Sequence, residues 1–246
     1  MTRAIILAAG RGSRMAELTA HEPKCFVRLH GKRLLDWQLA ALRGAELQQI
    51  ALVRGYRAAC FDEPITYFDN PSWQHSNMVR TLLAADAWLR ADACIVSYSD
   101  IVYGAQTVSR LVQTDAELAI VYDPAWLQLW SRRFADPLDD AETFRLDRAG
   151  RLAEIGARAR TLAEIEGQYV GLLKFTPSGW SRVRRLLDAL SESEVDRLDM
   201  TSMLRLGLQH GWQIAVSPVC GAWGEVDAQR DLELYDKLIP AHTLER

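Results

Sequence analysis

A chain of 246 residues, 49% of them hydrophobic, is long enough to bury a core of ordinary size. Its formal net charge of −3, from 29 basic and 32 acidic side chains, argues against nucleic acid and anionic membrane surfaces as partners. The four cysteines include no C-x-x-C pair, which argues against a zinc knuckle or a disulfide framework. No apolar run reaches the roughly 18 residues of a transmembrane helix, and Arg11 and Arg14 interrupt the first run where a secretory signal would continue. We therefore expect a cytoplasmic protein.

Short apolar runs alternate with helical patterns in the first half of the chain. The strand candidates are "AIILAA" (4–9), "QIALVRGY" (49–56) and "ACIVSYSD" (93–100). The helical patterns between them are "LLDWQLAALRGA" (34–45) and "TLLAADAWL" (81–89). The strand candidates are continuously apolar, as expected when helices cover both faces of a largely parallel sheet. We predict an α/β fold with a Rossmann-like, doubly wound sheet, in which ligands bind beyond the carboxyl ends of the strands.

The second half predicts two more strands separated by an irregular excursion. The strands are "ELAIVYD" (117–123) and "QYVGLLKF" (168–175), and short strands and turns are expected between them. The remaining patterns are two helices, a strand and a last helix, at 180–190, 201–211, 212–219 and 228–239. Without a linker or an internal repeat, we predict a single domain over 1–246, with an acceptor-binding excursion around 122–166.

Glycines follow directly after the first strand. Gly10 and Gly12 let the backbone pass close to a ligand and expose amide groups that bind phosphate oxygens. Arg11, Arg14 and the Lys24 of "PKCF" would gather three cations around a nucleoside triphosphate. The pattern is neither the dinucleotide fingerprint nor the Walker loop. From charge alone, a solvated loop is an equally good interpretation.

Three segments carry a family resemblance: "LAAGRGSRM", "PKCFVRLHGKRLLDWQLAAL" and "EVDAQRDLELY". They resemble the nucleotidyltransferases that activate sugar phosphates and phosphocholine, whose signature is L-A-A-G-x-G-x-R-x followed by P-K. Segments 76–85, 97–103, 133–143 and 167–175 are more similar to the cytidylyltransferases for small head groups such as phosphocholine, 2-aminoethylphosphonate and phosphoglutamine. The resemblance implies a GT-A-like fold with a mixed sheet.

The resemblance also implies the reaction. A phosphate, phosphonate or similar oxyanion of the acceptor attacks the α-phosphorus of CTP and releases pyrophosphate, so that no general base is needed. The implied catalytic cations are Lys24, which would contact the α-phosphate, Arg14 and Arg11. The implied nucleotide-binding residues are Leu7, Ala8, Ala9, Gly10, Gly12, Ser76, Asn77, Ser99 and Gly171. An equally good interpretation of Asn77 is the N-cap of a helix that begins near Met78.

Two aspartates match the metal-binding residues of the family, namely Asp100 and Asp227, and Mg²⁺ is the expected ion. In isolation, either aspartate would be read as a helix cap or a turn residue. Glu225 lies two residues before Asp227, so an extended segment would point both side chains to one face. Glu225 is predicted to support the metal site or the acceptor.

The acceptor pocket is predicted from weaker signals. Trp126 and Trp130 share a helix face and could cage a quaternary ammonium group, although such pairs more often belong to the core. Asp140 and Glu142 could bind an amino group or form an exposed turn, and Arg133 is predicted to hold the acceptor's oxyanion.

Two other functions stay open at this point. One is a sugar-1-phosphate nucleotidyltransferase that uses UTP or dTTP, and the other is a nucleotide-binding module without activity. The joint presence of Arg14, Lys24, Asp100 and Asp227 argues against the second. The expected partners are CTP and a small acceptor, without nucleic acid or membrane, and a homodimer is left open as the assembly.

Overall fold

The computed structural model describes residues 1–12, 15 and 18–245. The strands are β1 (Thr2–Ala8), β2 (Arg28–Leu29), β3 (Lys32–Arg33), β4 (Ile50–Arg54), β5 (Thr66–Asp69), β6 (Ala93–Tyr98), β7 (Ile101–Tyr103), β8 (Leu118–Asp123), β9 (Glu142–Leu146), β10 (Leu152–Arg158), β11 (Gln168–Phe175), β12 (Ala215–Pro218) and β13 (Trp223–Glu225). The α-helices are α1 (Leu34–Gly44), α2 (Met78–Leu83), α3 (Asp86–Ala91), α4 (Ala105–Gln113), α5 (Trp126–Arg133), α6 (Pro177–Leu187), α7 (Glu192–Arg197), α8 (Met200–Gln209), α9 (Gln229–Leu238) and α10 (Ala241–Leu244).

Seven strands form the central sheet, in the order β12-β8-β11-β6-β1-β4-β5. Neighbouring strands are parallel except for β11, which runs antiparallel to both β6 and β8. The continuously apolar β1 lies in the interior of this sheet, where both of its faces are covered. The predicted α/β fold with a mixed, doubly wound sheet is confirmed.

The chain after β12 returns to the segment that follows the glycine-rich turn. Val226, Tyr235 and Ile239 pack in a second apolar cluster with Leu34 and Trp37 of α1. This packing places the residues that follow β13 beside β2 and the start of α1. The late "EVD" segment and the early "PK" segment are therefore brought to one edge of the molecule.

Two predicted elements differ in the structure. The run 81–89 was expected to form one helix, but the chain turns at Ala84 and Ala85 through i to i+3 hydrogen bonds and begins again as α3. Asp86 anchors the new start, because its carboxylate accepts the indole N–H of Trp180 at 2.8 Å. The predicted excursion forms α5 and the antiparallel pair β9 and β10. Every helix in the described part of the chain is too short or too polar to cross a bilayer.

Candidate active site

The carboxyl ends of β1 and β6 open into a pocket of about 260 Å³. Ligands of open α/β sheets bind at this edge. The pocket brings together seven of the residues predicted to bind nucleotide: Leu7, Ala9, Gly10, Gly12, Ser76, Asn77 and Ser99. Two others lie elsewhere, since Ala8 is buried in β1 and Gly171 lines a neighbouring groove.

Trp73 forms one wall of the pocket and packs edge to face against Tyr56, with ring centroids 5.3 Å apart. Gly55 permits this approach, because a Cβ there would lie 2.6 Å from the Trp73 side chain. Tyr56 also fixes the glycine-rich turn at both ends. Its N–H donates to the Ala9 carbonyl at 2.9 Å, and its hydroxyl donates to the Ala20 carbonyl at 2.7 Å. No local pattern in the sequence identifies Tyr56, because only the fold brings it to the turn.

Ser76 and Asn77 are held by local hydrogen bonds. The buried amide of Asn70 donates to the Ser76 hydroxyl at 3.1 Å and to the Thr81 hydroxyl at 3.0 Å. Asn77 is the N-cap of α2, since its Oδ1 accepts the Met78 N–H at 2.8 Å. The capping role of Asn77 is confirmed, and its contact with a nucleotide base stays a prediction.

Lys24 lies between the two predicted metal-binding aspartates. Its Nζ donates to Asp100 Oδ2 at 2.8 Å and to Asp227 Oδ1 at 3.0 Å. Gly12, at φ +68°, makes room for the lysine stem, because a Cβ there would lie 2.8 Å from Lys24 Cδ. Burial lowers the pKa of Lys24, but the charges of Asp100 and Asp227 more than offset it, so the pKa is raised. Lys24 is therefore a permanent positive charge beside the pocket.

The carboxylates of Asp100, Glu225 and Asp227 form a cluster that fits a divalent cation. One oxygen atom from each lies within 4.8 Å of the others. Oδ1 of Asp100 is buried and accepts no hydrogen bond from the residues that the structure describes. Burial and the charges of Asp227 and Asp100 raise the pKa of Glu225 to about 8, a sign of excess negative charge. Hard oxygen ligands with an unused lone pair and excess negative charge are the donor set that Mg²⁺ prefers.

Arg133 lies behind this cluster rather than at the acceptor. Its side chain has no exposed surface, and it contacts the carboxylates of Glu225, Asp227 and Asp231 at 3.2–3.4 Å. A side chain that is enclosed in this way cannot reach the oxyanion of an incoming acceptor. The prediction that Arg133 binds the acceptor is therefore wrong.

A second cavity of about 330 Å³ adjoins the nucleotide pocket and shares Asn77, Met78 and Tyr98 with it. It contains the predicted acceptor residues Asp140, Glu142 and Glu225, together with Asp227 and Gly171. We call this cavity the acidic groove. Lysine and arginine are missing from its described lining residues. The cations that pair with Asp227 and Glu225, Lys24 and Arg133, contact these carboxylates from outside this lining.

The start of α8 contributes two polar groove residues that no local sequence pattern identified, Asp199 and Thr201. Asp199 is also the N-cap of α8 and accepts the Ser202 N–H at 2.7 Å. Burial, and next the charge of Asp199, raise the pKa of Glu142, while a hydrogen bond from Thr201 acts in the opposite direction. A cap motif gives no sign in sequence of what its carboxylate faces, so only the fold could identify Asp199.

The predicted aromatic cage is absent from the groove. Trp126 and Trp130 are 4% and 0% exposed and pack in the core, where Trp130 stacks on Trp223 with ring centroids 6.0 Å apart. The Trp126 indole donates to the Ile165 carbonyl at 3.2 Å. Their ring faces are covered by protein, so their assignment to the acceptor is wrong.

The two loop arginines have different outcomes. Arg11 is exposed on the glycine-rich turn, with its guanidinium 5.8 Å from the centroid of Tyr56. It lies next to the nucleotide pocket rather than in its lining. Arg14 lies outside the described residues.

Comparison with known proteins identifies the family of this chain and several relatives. A family model described as the MobA-like NTP transferase domain matches residues 4–163. The chain is 36% identical to a CTP:phosphoglutamine cytidylyltransferase of Campylobacter jejuni, with 94% of this chain and 98% of that protein covered. It is 26% identical to a 2-aminoethylphosphonate cytidylyltransferase of Lancefieldella rimae, over 80% of this chain and 76% of that protein.

A solved structure supports the fold. The CTP:phosphocholine cytidylyltransferase of Streptococcus pneumoniae superposes with a TM-score of 0.76 at 18% identity, over 97% of this chain and 99% of that chain. At this identity the likeness extends to the fold alone.

Proposed function

Because this chain belongs to the MobA-like NTP transferase domain family, we propose that it is a Mg²⁺-dependent cytidylyltransferase. It transfers CMP from CTP to a small phosphorylated, phosphonylated or phosphoramidate acceptor. The observation that carries the proposal is the position of Lys24 between Asp100 and Asp227, where the nucleotide pocket meets the acidic groove.

The nucleotide pocket has the parts that a triphosphate requires. Backbone amides of the turn at Gly10 and Gly12 are suited to phosphate oxygens, and Ser76 and Asn77 offer donors and acceptors to a pyrimidine edge. Asp100 and Asp227 would hold Mg²⁺, which when bound neutralises charge on the phosphate groups. Lys24 supplies a further positive charge for the α-phosphate.

The chemistry needs no proton transfer. An anionic oxygen of the acceptor forms a bond to the α-phosphorus, and the bond from that phosphorus to the bridging oxygen breaks. The leaving pyrophosphate takes the electron pair. The chain's own residues therefore act by holding the two substrates in line and by neutralising charge.

The acidic groove favours an acceptor that carries an amino or ammonium group. Asp140, Glu142 and Asp199 offer charge-assisted hydrogen bonds at one side, and the metal cluster lies at the other. An acceptor that spans the groove would place its cationic end against these carboxylates and its oxyanion toward the α-phosphate. The substrates named for the matched relatives agree with this class.

Pyrophosphate release tests the proposal. CTP, UTP, dTTP, ATP and GTP would each be assayed with Mg²⁺ against phosphoglutamine, 2-aminoethylphosphonate, phosphocholine and glucose 1-phosphate. We expect CTP with an amino- or ammonium-bearing acceptor to give the fastest turnover. Equal or faster turnover of a sugar phosphate with UTP or dTTP would establish the alternative sugar enzyme. Nucleotide binding without turnover of any acceptor in the panel would favour the module without activity.

A further inference from the structure

Arg133 is a buried cation at the end of α5. Its guanidinium lies over two adjacent aromatic rings, 4.8 Å from the centroid of Trp130 and 5.1 Å from that of Phe134. The side chain has no exposed surface. A planar guanidinium enclosed in this way has few other conformations available.

Three carboxylates share this guanidinium. Nε donates to Asp231 Oδ1 at 3.2 Å, Nη1 to Glu225 Oε2 at 3.4 Å and Nη2 to Asp227 Oδ2 at 3.4 Å. Asp231 in turn accepts the backbone N–H groups of Asp227 at 2.8 Å and Ala228 at 2.9 Å. The side chain and the backbone of Asp227 are thus both connected to the same rear anchor.

The two cations that contact Asp227 differ in how they are held. Lys24 contacts Oδ1 from the pocket side, on a flexible stem that can turn toward a phosphate group. Arg133 contacts Oδ2 from the protein interior and is enclosed by its aromatic neighbours. The two cations therefore reach different oxygen atoms of the Asp227 carboxylate, one from the pocket and one from the interior.

We propose that Arg133 is a positioning residue that holds Glu225 and Asp227 in the arrangement required for metal binding. The inference rests on the proposed function, because the metal belongs to that reaction. Two carboxylates close together repel each other, and the guanidinium offsets that repulsion from the protein interior rather than from the pocket. Its planar guanidinium reaches three carboxylates from three separate nitrogen atoms in a fixed geometry, whereas a lysine offers a single nitrogen on a flexible stem.

Mn²⁺ binding to the nucleotide-free protein tests this role without relying on activity. The paramagnetic resonance signal of free Mn²⁺ would be measured for the wild type, Arg133→Lys and Arg133→Met. Loss of a group that orients metal ligands typically weakens metal affinity by about 10- to 100-fold. We expect a loss of this size for Arg133→Met and a smaller loss for Arg133→Lys. Arg230→Met is the matched control, because Arg230 also lies over Phe134, at 5.3 Å, but is exposed; it should bind Mn²⁺ as the wild type does.

The outcomes separate the two proposals. If the wild type fails to bind Mn²⁺ even after CTP is added to supply phosphate ligands, the metal assignment in the proposed function is wrong. If the wild type and a folded Arg133 variant bind Mn²⁺ equally well, only the positioning role is overturned. Arg133→Met leaves buried carboxylates without their partner and can unfold the chain, in which case Arg133→Lys decides. Failure of both variants to fold would make Arg133 an architectural residue and would also overturn the proposal.

Discussion

At the scale of single residues, the acidic groove contains a carboxylate, Glu142, whose ionised form is disfavoured by burial. Glu142 has a raised pKa, so the folded chain binds its proton more tightly than the unfolded chain does. The ionised form therefore lowers the free energy of unfolding once the pH rises above the ordinary value of 4.5. A group that weakens the fold at working pH is readily explained if it binds a cationic substrate.

This reasoning predicts a trade-off for Glu142→Gln. The variant should melt at a higher temperature than the wild type at pH 8, and the gain should disappear below pH 4.5, where the wild-type carboxyl is also neutral. Its KM for an amino-bearing acceptor should rise roughly tenfold or more, with a much smaller change for CTP. Thermal melts across pH and initial rates with each substrate varied in turn would measure both effects.

Asp199→Asn sharpens the same test, because asparagine caps helices as well as aspartate does and α8 should remain intact. The acceptor KM should rise here as well. Asp139→Asn is the control, since Asp139 is exposed in the turn that precedes Asp140 and Glu142 and lies outside the groove lining. A normal acceptor KM in both Glu142→Gln and Asp199→Asn would remove these carboxylates from the acceptor site.

At the scale of elements, the sequence predicted what local pattern controls. Continuous apolar runs located the strands of the sheet, and the glycines after β1 located the turn at its carboxyl end. The helical spacing of Trp126 and Trp130 was also informative, but it could not distinguish a core face from a ligand face. That choice is made by β13, whose Trp223 covers Trp130 from almost a hundred residues away. Asp199 was missed for the same reason, because its place in the groove is set by tertiary packing.

Strand β11 contains a glycine, Gly171, that has a positive φ and lies close to Tyr98. Gly171 has φ +85° within an irregular stretch of the pairing between β11 and β8, and a Cβ there would lie 2.8 Å from the Tyr98 ring. Gly171→Ala should therefore cost about 2 kcal/mol of stability. It should also raise the KM of both substrates, because Tyr98 lines both cavities.

Gly150→Ala is the matched control for this prediction. Gly150 also has a positive φ, +72°, but a Cβ there would meet nothing within 4 Å. Its cost should be limited to the backbone term of about 1 kcal/mol, with normal kinetics. Chemical denaturation and initial rates measure the two quantities. Equal effects of the two substitutions would show that the contact with Tyr98 contributes nothing.

At the scale of the whole molecule, the candidate site is assembled from distant parts of the chain. Lys24 follows the glycine-rich turn, Asp100 follows β6, and Asp227 follows β13. The family model ends at residue 163, before Asp227. The second apolar cluster, which joins α9 to α1, is what returns this last carboxylate to the pocket. A ligand that binds all three segments should therefore stabilise the molecule as a unit.

This predicts a nucleotide-linked gain in melting temperature that depends on the metal carboxylates. CTP with Mg²⁺ at about 100 times its Kd should add about 2.7 kcal/mol, or several degrees for a chain of this size. Asp100→Ala and Asp227→Ala should each lose most of this gain and about 10²-fold or more of the turnover, because phosphate charge is no longer neutralised.

Without ligand, both variants should still unfold in a single cooperative transition, since each removes charge from a cluster with excess negative charge. Scanning calorimetry with and without CTP and Mg²⁺, together with pyrophosphate release at saturating Mg²⁺, measures these quantities. Near-normal turnover and an undiminished gain in either folded variant would exclude that aspartate from the metal site.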